Sequence, residues 1–194
     1  MSANNNIKYP AASGLLTNIF SYRLLWILSF SLLTAVSAQI AIPVKPVPFS
    51  LQTMMVLLSG AFLGARNGAY SQIIYVFLGS IGLPVFANGS MGFAVLFGPT
   101  GGYLLAFPVA AFLVGYLVES NNKYFNVVIS MFFGSLTILA IGILFLNLFY
   151  LHNLLEAVKA GGVIFFVWMI IKIFAAASIY FGVSKKYSKL PNNN

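Results

Sequence analysis

The uncharged stretches of this chain set the first limit on what it can fold into. They run from Leu24 to Val44, Pro46 to Ala65, Asn67 to Val118 and Tyr124 to Leu155, and a last stretch from Gly161 to Val183 carries a single charge, Lys172. A helix that crosses the hydrocarbon of a bilayer needs about 20 predominantly apolar residues, and each of these stretches is long enough to supply one. Soluble domains carry charge on roughly a quarter of their residues. Here charged residues make up 6% of the chain and apolar ones 60%. The chain therefore reads as an all-α integral membrane protein.

The third stretch is too long for one helix. Gly82-Leu83-Pro84 and Gly98-Pro99-Thr100-Gly101-Gly102 break it, since proline removes a backbone donor and glycine loosens the chain. Six transmembrane helices result, at roughly 24–42, 49–64, 68–82, 102–118, 125–149 and 163–183. One membrane domain then occupies 24–183, between a disordered or cytoplasmic N-terminal segment at 1–23 and a basic, polar cytoplasmic tail at 184–194. Six spans put both termini on the same side. Lys8, Arg23, Arg66, Lys123, Lys185, Lys186 and Lys189 fall there, against Lys45 and Lys159 opposite, which places the N and C termini in the cytoplasm. The net charge of +8 is thus a topology signal for the cell's inner, or cytoplasmic, membrane. The lysine tail is expected to meet the lipid bilayer and not nucleic acid. Val36-Ser37-Ala38 resembles the pattern before a signal-peptide cleavage site, but the apolar run continues to Pro43, and the span is expected to be retained.

Composition also removes whole classes of chemistry. There is no cysteine or aspartate, one histidine (His152) and two glutamates (Glu119, Glu156). Disulfides, thiolate redox chemistry and a Cys/His metal site, which for zinc takes about four ligands, are excluded. Both glutamates fall in short polar breaks, so no carboxylate dyad is expected inside the bundle. His152 stands at the end of a span, poorly placed to activate a buried serine. No G-x-x-x-x-G-K-[ST] phosphate loop occurs, so any energy must come from elsewhere. No catalytic residue, metal ligand or cofactor is expected.

What remains points to a binding cavity. Residues 82–102 hold six glycines and two prolines yet stay hydrophobic, whereas a solvent loop would be polar. Irregular apolar backbone at membrane depth persists only where protein buries it or where it lines a cavity. As a pocket wall it would offer Asn88 and Thr100 for hydrogen bonds and Phe86, Phe93 and Tyr103 as apolar surface. The other reading is that Gly-Pro pairs end helices and allow tight packing. Three prolines stiffen the connection Ile42 to Pro48, which lies on the same outer side and is expected to close over the same opening. Gln39 and Gln52 flank it; each suits an amide-like or urea-like ligand, or else a neighbouring helix.

Lys172 is the strongest single signal. It lies near the middle of the last span, where an ammonium costs about 2.5–3.5 kcal/mol on insertion scales, and neither glutamate is placed to neutralise it. An intramembrane cation of this kind invites an anionic or strongly accepting ligand; the alternatives are snorkelling or a contact with backbone carbonyls. Trp168 and Phe165, four and seven residues earlier, share its helical face and are expected as an apolar wall or as packing.

Three blocks, in order, carry a family resemblance: TAVSAQIAIPVKPVPFSLQT, LGARNGAYSQIIYVFLGSIGLPVFANG and GPTGGYLLAFPVAAFLVGYLVE. From about Leu32 to Gly182 the chain resembles the BioY family, the biotin-binding substrate-specific (S) components of energy-coupling-factor (ECF) transporters. The resemblance implies a six-helix subunit that captures biotin from outside, powered by an ECF transmembrane coupling protein and ATPase subunits. It implies Asn88 as a ligand residue. It also aligns Lys172 with the lysine of a Gly-Asp-x-x-Lys pattern, whose Gly and Asp positions are here Trp168 and Met169. Without that carboxylate another acceptor has to serve, with Gln52, Thr100 or a backbone carbonyl as candidates. Another small vitamin as ligand is the related alternative, and a passive membrane channel the distant one.

Small residues recur at four-residue intervals along the first span, as in Ser31 with Ala35 and Thr34 with Ala38. Such a stripe lets a second helix approach closely. The resemblance makes Ala35 and Ala38 candidates for docking the coupling protein; packing inside the chain's own bundle is the equal alternative.

Overall fold

The computed structural model describes the backbone of residues 12–184 and the side chains from Tyr22 onward, Ile164 excepted. The ends of the chain, with Lys8, Lys185, Lys186 and Lys189, lie outside the described residues. Helix α1 spans Ala12–Gln39, and a two-stranded ribbon follows, β1 (Ala41–Ile42) against β2 (Phe49–Ser50). Next come α2 (Gln52–Ser80), an irregular segment with tight helical turns at Ala87–Gly89 and Phe93–Phe97, α3 (Gly101–Ser120) and α4 (Tyr124–Leu146). A wide turn, Asn147–Leu151, leads to the short α5 (Leu154–Val158), and a second, Lys159–Val163, leads into α6 (Ile164–Ser184). Helix α1 begins ahead of the first expected span, so residues 12–23 are helical.

Helix α2 is two legs. Gly64 sits at φ 77° and ψ 178°, outside helical geometry and in the left-handed half of the map that glycine tolerates. There the chain doubles back: the Gln52 amide donates to the Tyr75 hydroxyl, and Gln72 reaches Ser59 at 3.1 Å, contacts impossible along one straight helix. The reversal is tight because Gly68 lies against the Gly60 backbone, where a β-carbon would come within 2.8 Å of the Gly60 Cα. The carboxylate of Glu119, at the end of α3, accepts from the Ala65 N–H at 3.0 Å and satisfies one of the orphan donors that open the second leg. The breaks expected at 64–68 and after 82 are therefore both present.

Helix α1 packs on α2, α2 on α3, α3 on α4, and α6 closes against α2 and α4. Among the described residues, Gly101–Ser120, Tyr124–Leu151 and Leu154–Ser184 are long and apolar enough to cross a membrane. The pattern of α1 is inside-out by soluble standards. It exposes Leu25, Leu28, Leu32 and Val36 while burying Ser31, Thr34, Ala35, Ser37 and Ala38. That is the arrangement expected where lipid is the solvent and small residues let backbones approach. Ala35 and Ala38 are 8% and 0% exposed, which favours the second of the two readings of the small-residue stripe, packing within the chain's own bundle.

The core divides in two. One cluster, at the end where α3 finishes and α4 begins, gathers Leu57, Phe62, Val114, Val127, Met131, Ile173 and Tyr180. The other, at the opposite end, gathers Val56, Tyr75, Phe86, Tyr103, Phe107 and Ile138. Several of the second cluster's residues border a cavity, with Met169 of the first reaching it too.

Candidate functional site

A cavity of about 290 Å³ lies at that second end. Val47, Pro48 and Ser50 reach it from the ribbon, Gln52 and Thr53 from the first turn of α2, and Phe86, Ala87, Asn88 and Ser90 from the irregular segment. Thr100, Tyr103, Leu104 and Phe107 follow from the start of α3 at helical spacing, Ser135, Ile138 and Leu139 from α4, and Phe165, Met169 and Lys172 from α6. The proline-rich connection and the glycine-rich segment do meet over one opening.

Each wall has a local cause. Phe86 is 1% exposed because its ring fills the place a side chain at Gly79 would take, edge-on to Tyr75 at 5.7 Å between centroids. Asn88 adopts the left-handed conformation (φ 57°), one of the few non-glycine residues that tolerate it. Gln39, at the end of α1, clamps this turn: its amide nitrogen donates to the carbonyls of Pro84 (3.4 Å) and Phe86 (3.2 Å), and its oxygen accepts from Gly89 N–H (3.1 Å). Gln52 accepts from Ser50 Oγ at 2.7 Å and donates to Tyr75, whose hydroxyl donates onward to the Val85 carbonyl at 3.1 Å. Both glutamines are thus engaged with the chain itself. Gln39 positions the cavity wall from behind, and Gln52 lines it with its amide already bonded.

Lys172 is 9% exposed and does not snorkel. Its ammonium donates to Thr53 Oγ1 at 3.0 Å, its one bond among the described residues. An ammonium has three hydrogens to give. No carboxylate lines the cavity: Glu119 is bonded to Ala65 near the far end, and Glu156 sits in exposed α5. The site is a mainly apolar pocket with one cation and a handful of neutral donors and acceptors, suited to a small, largely apolar ligand with hydrogen-bonding ends.

Of the residues expected from sequence, Asn88, Lys172, Gln52, Thr100, Phe86 and Tyr103 line the cavity. Phe93 and Trp168 do not. Phe93 is 63% exposed and stacks edgewise on Phe97 in the outer turn. Trp168 is 41% exposed and turns towards Phe49. Helical rotation explains it: at 3.6 residues per turn Trp168 falls about 40° to one side of Lys172, while Phe165 and Met169 fall about 20° and 60° to the other. The cavity lies on the latter flank. Thr53, Phe107 and Ser135 were not singled out; the legible signal for Phe107 was its four-residue spacing from Tyr103, whereas nothing local marks Ser135.

The model of the BioY family matches residues 9–189, a range that takes in every residue of the cavity wall. The chain belongs to the BioY family. A BioY relative from Thermotoga maritima, named as a biotin transporter, is 42% identical over 156 residues, covering 80% of this chain and 92% of the relative. A second, from Pyrococcus horikoshii and named as a probable biotin transporter, is 41% identical over 150 residues, covering 77% and 88%. The crystal structure of the S-component for biotin from an ECF-type ABC transporter superposes with a TM-score of 0.81 at 26% identity, covering 87% of this chain and 93% of that one. The BioY fold, not only the motif blocks, is therefore shared.

Proposed function

We propose that this chain is the biotin-binding S component of an ECF transporter, capturing biotin on the outer side of the cytoplasmic membrane for delivery inward. The cavity carries the reading: about 290 Å³ is at the small end of ligand pockets, the scale of a vitamin. Phe86, Phe107, Phe165 and Tyr103 would hold the apolar bicycle, while Lys172 with Thr53, and Asn88 with Thr100, would meet its polar groups. The two legs of α2 count as two spans, which with α1, α3, α4 and α6 gives six, the termini cytoplasmic and the cavity facing out.

The far half of the bundle is filled, with Val114, Val127 and Met131 at 0% exposure, which argues against a passive channel. Inward release then requires the bundle to be moved or opened, and a coupling protein with ATPase subunits would supply that work. With Ala35 and Ala38 buried, the docking face for that partner is drawn from other residues.

Equilibrium binding of labelled biotin to the purified chain in detergent tests the reading. Saturable binding displaced by desthiobiotin, but not by riboflavin or thiamine, is expected. Displacement by one of the other vitamins would move the ligand assignment, and absence of saturable binding would end it.

A further inference from the structure

Tyr103 faces the cavity from the first turn of α3 and is 7% exposed. What lies behind its ring is two glycines. A β-carbon at Gly142, on α4, would collide with the ring itself, and one at Gly161, in the wide turn before α6, would collide with the hydroxyl. The hydroxyl donates to the Gly161 carbonyl at 2.9 Å. The ring therefore abuts the bare backbone of Gly142, and its hydroxyl that of Gly161. Its neighbour across the cavity mouth is Phe165, 6.4 Å away between centroids and the first cavity residue of α6, the helix that also carries Met169 and Lys172.

Protein interiors are packed so closely that one added methyl has to be accommodated by displacing something. A methyl added at Gly142 meets the Tyr103 ring first, and the ring borders the cavity. We propose that Tyr103, seated on Gly142 and tied to Gly161, is the specificity-determining wall that sets the width available to the ring system of the ligand. In the same contact it positions the start of α6. On the reading of the site as a biotin site, the rigid fused bicycle is the group it gauges. A flexible single-ring analogue is gauged less.

The experiment is binding of biotin and of desthiobiotin, which lacks the fused sulfur ring, to three purified variants. Gly142→Ala pushes the ring forward, and overpacking of this size predicts that biotin binding weakens about tenfold, with a smaller loss for desthiobiotin. Adding Tyr103→Ser to Gly142→Ala removes the displaced ring and the wall with it, so the difference between the losses of the two ligands should disappear. Tyr103→Phe keeps the ring and cuts the tether; the lost bond is internal, so the melting temperature should fall, and the ring freed at that end should weaken biotin binding about threefold, more than desthiobiotin binding. Equal losses for the two ligands in Gly142→Ala, or a difference between them that persists in the double variant, would overturn the proposal. Should Gly142→Ala fail to fold, unchanged biotin affinity in Tyr103→Phe would overturn it alone. If the unaltered chain does not bind biotin, the functional reading fails first and this proposal with it.

Discussion

Two buried polar groups, Lys172 and Gln72, sit in the same apolar bundle and have opposite relations to it. Gln72 is 0% exposed in the seam between α1 and the two legs of α2. Its amide nitrogen donates to Thr34 (3.2 Å), Ser59 (3.1 Å) and Ser71 (3.1 Å), so its donors are engaged by the chain; its Oε1 is buried without a partner among the described residues, but it does not line the cavity. Each of those hydroxyls in turn donates to a backbone carbonyl of its own helix, at Phe30, Val56 and Gly68. Lys172, by contrast, has one such bond, to Thr53, and two further hydrogens beside a cavity. Buried polarity that the chain engages itself is interhelical glue; buried polarity left under-used beside open space is provision for a ligand.

Substituting Lys172 should separate the two kinds most widely. Lys172→Met removes a charged donor from the cavity while keeping the volume, so biotin binding should weaken by about 1.5–3 kcal/mol. The bundle, relieved of an ammonium without a counter-ion, should melt no lower than the unaltered protein. Titration calorimetry and thermal melting of the same preparation read both. Unchanged affinity would break the comparison by removing Lys172 from the site.

Gln72→Leu should do the reverse. The bundle loses two hydrogen bonds that reach other elements, to Thr34 and Ser59. Interhelical bonds in membranes average about 0.6 kcal/mol, so stability should fall by about 1 kcal/mol. Biotin affinity should stay as it was. A change in affinity exceeding the change in stability would show that the seam communicates with the cavity and that the two groups are not of separate kinds.

Gln39 is the intermediate case, a residue outside the cavity that holds part of its wall. Gln39→Ala frees the 84–89 turn from the end of α1. The side chain is exposed, where a hydrogen bond contributes about 0.5–1 kcal/mol, so affinity should drop twofold to fivefold. The loss should appear as faster dissociation, because an untethered wall opens more often. Loss in the association rate alone would argue that the turn is shaped by its own backbone and not by the clamp.

Much of this was legible in advance because membrane physics leaves few options. Uncharged length announces helices, glycine and proline announce where they stop, and a lone cation at mid-span announces a site. Contacts that depend on rotation about a helix axis or on the path of an irregular segment were not legible. Phe93 was expected in the wall because residues 82–102 are apolar throughout, yet the turns at 87–89 and 93–97 send Phe86 inward and Phe93 outward. The stripe Ser31, Thr34, Ala35, Ala38 fits an internal and an external partner equally well, since small residues favour any close helix; only the position of α2 decided between them.

The finest test of the comparison lies on α6 and concerns aromatic side chains on either flank of Lys172. Phe165 lines the cavity, tilted against Phe49 at 4.4 Å between centroids, whereas Trp168 is 41% exposed and outside it. By size alone Trp168 is the larger apolar group and the better candidate for a ligand wall. By position it touches none of the cavity. Trp168→Ala should therefore leave biotin affinity within about 0.5 kcal/mol, the scatter of a surface substitution, while Phe165→Ala in the same assay weakens it measurably. A Trp168→Ala loss equal to that of Phe165→Ala would mean that α6 turns on its axis when ligand binds, bringing the opposite flank of Lys172 to the cavity. The distinction between engaged and under-used polar groups would then have to be redrawn around a rotated α6.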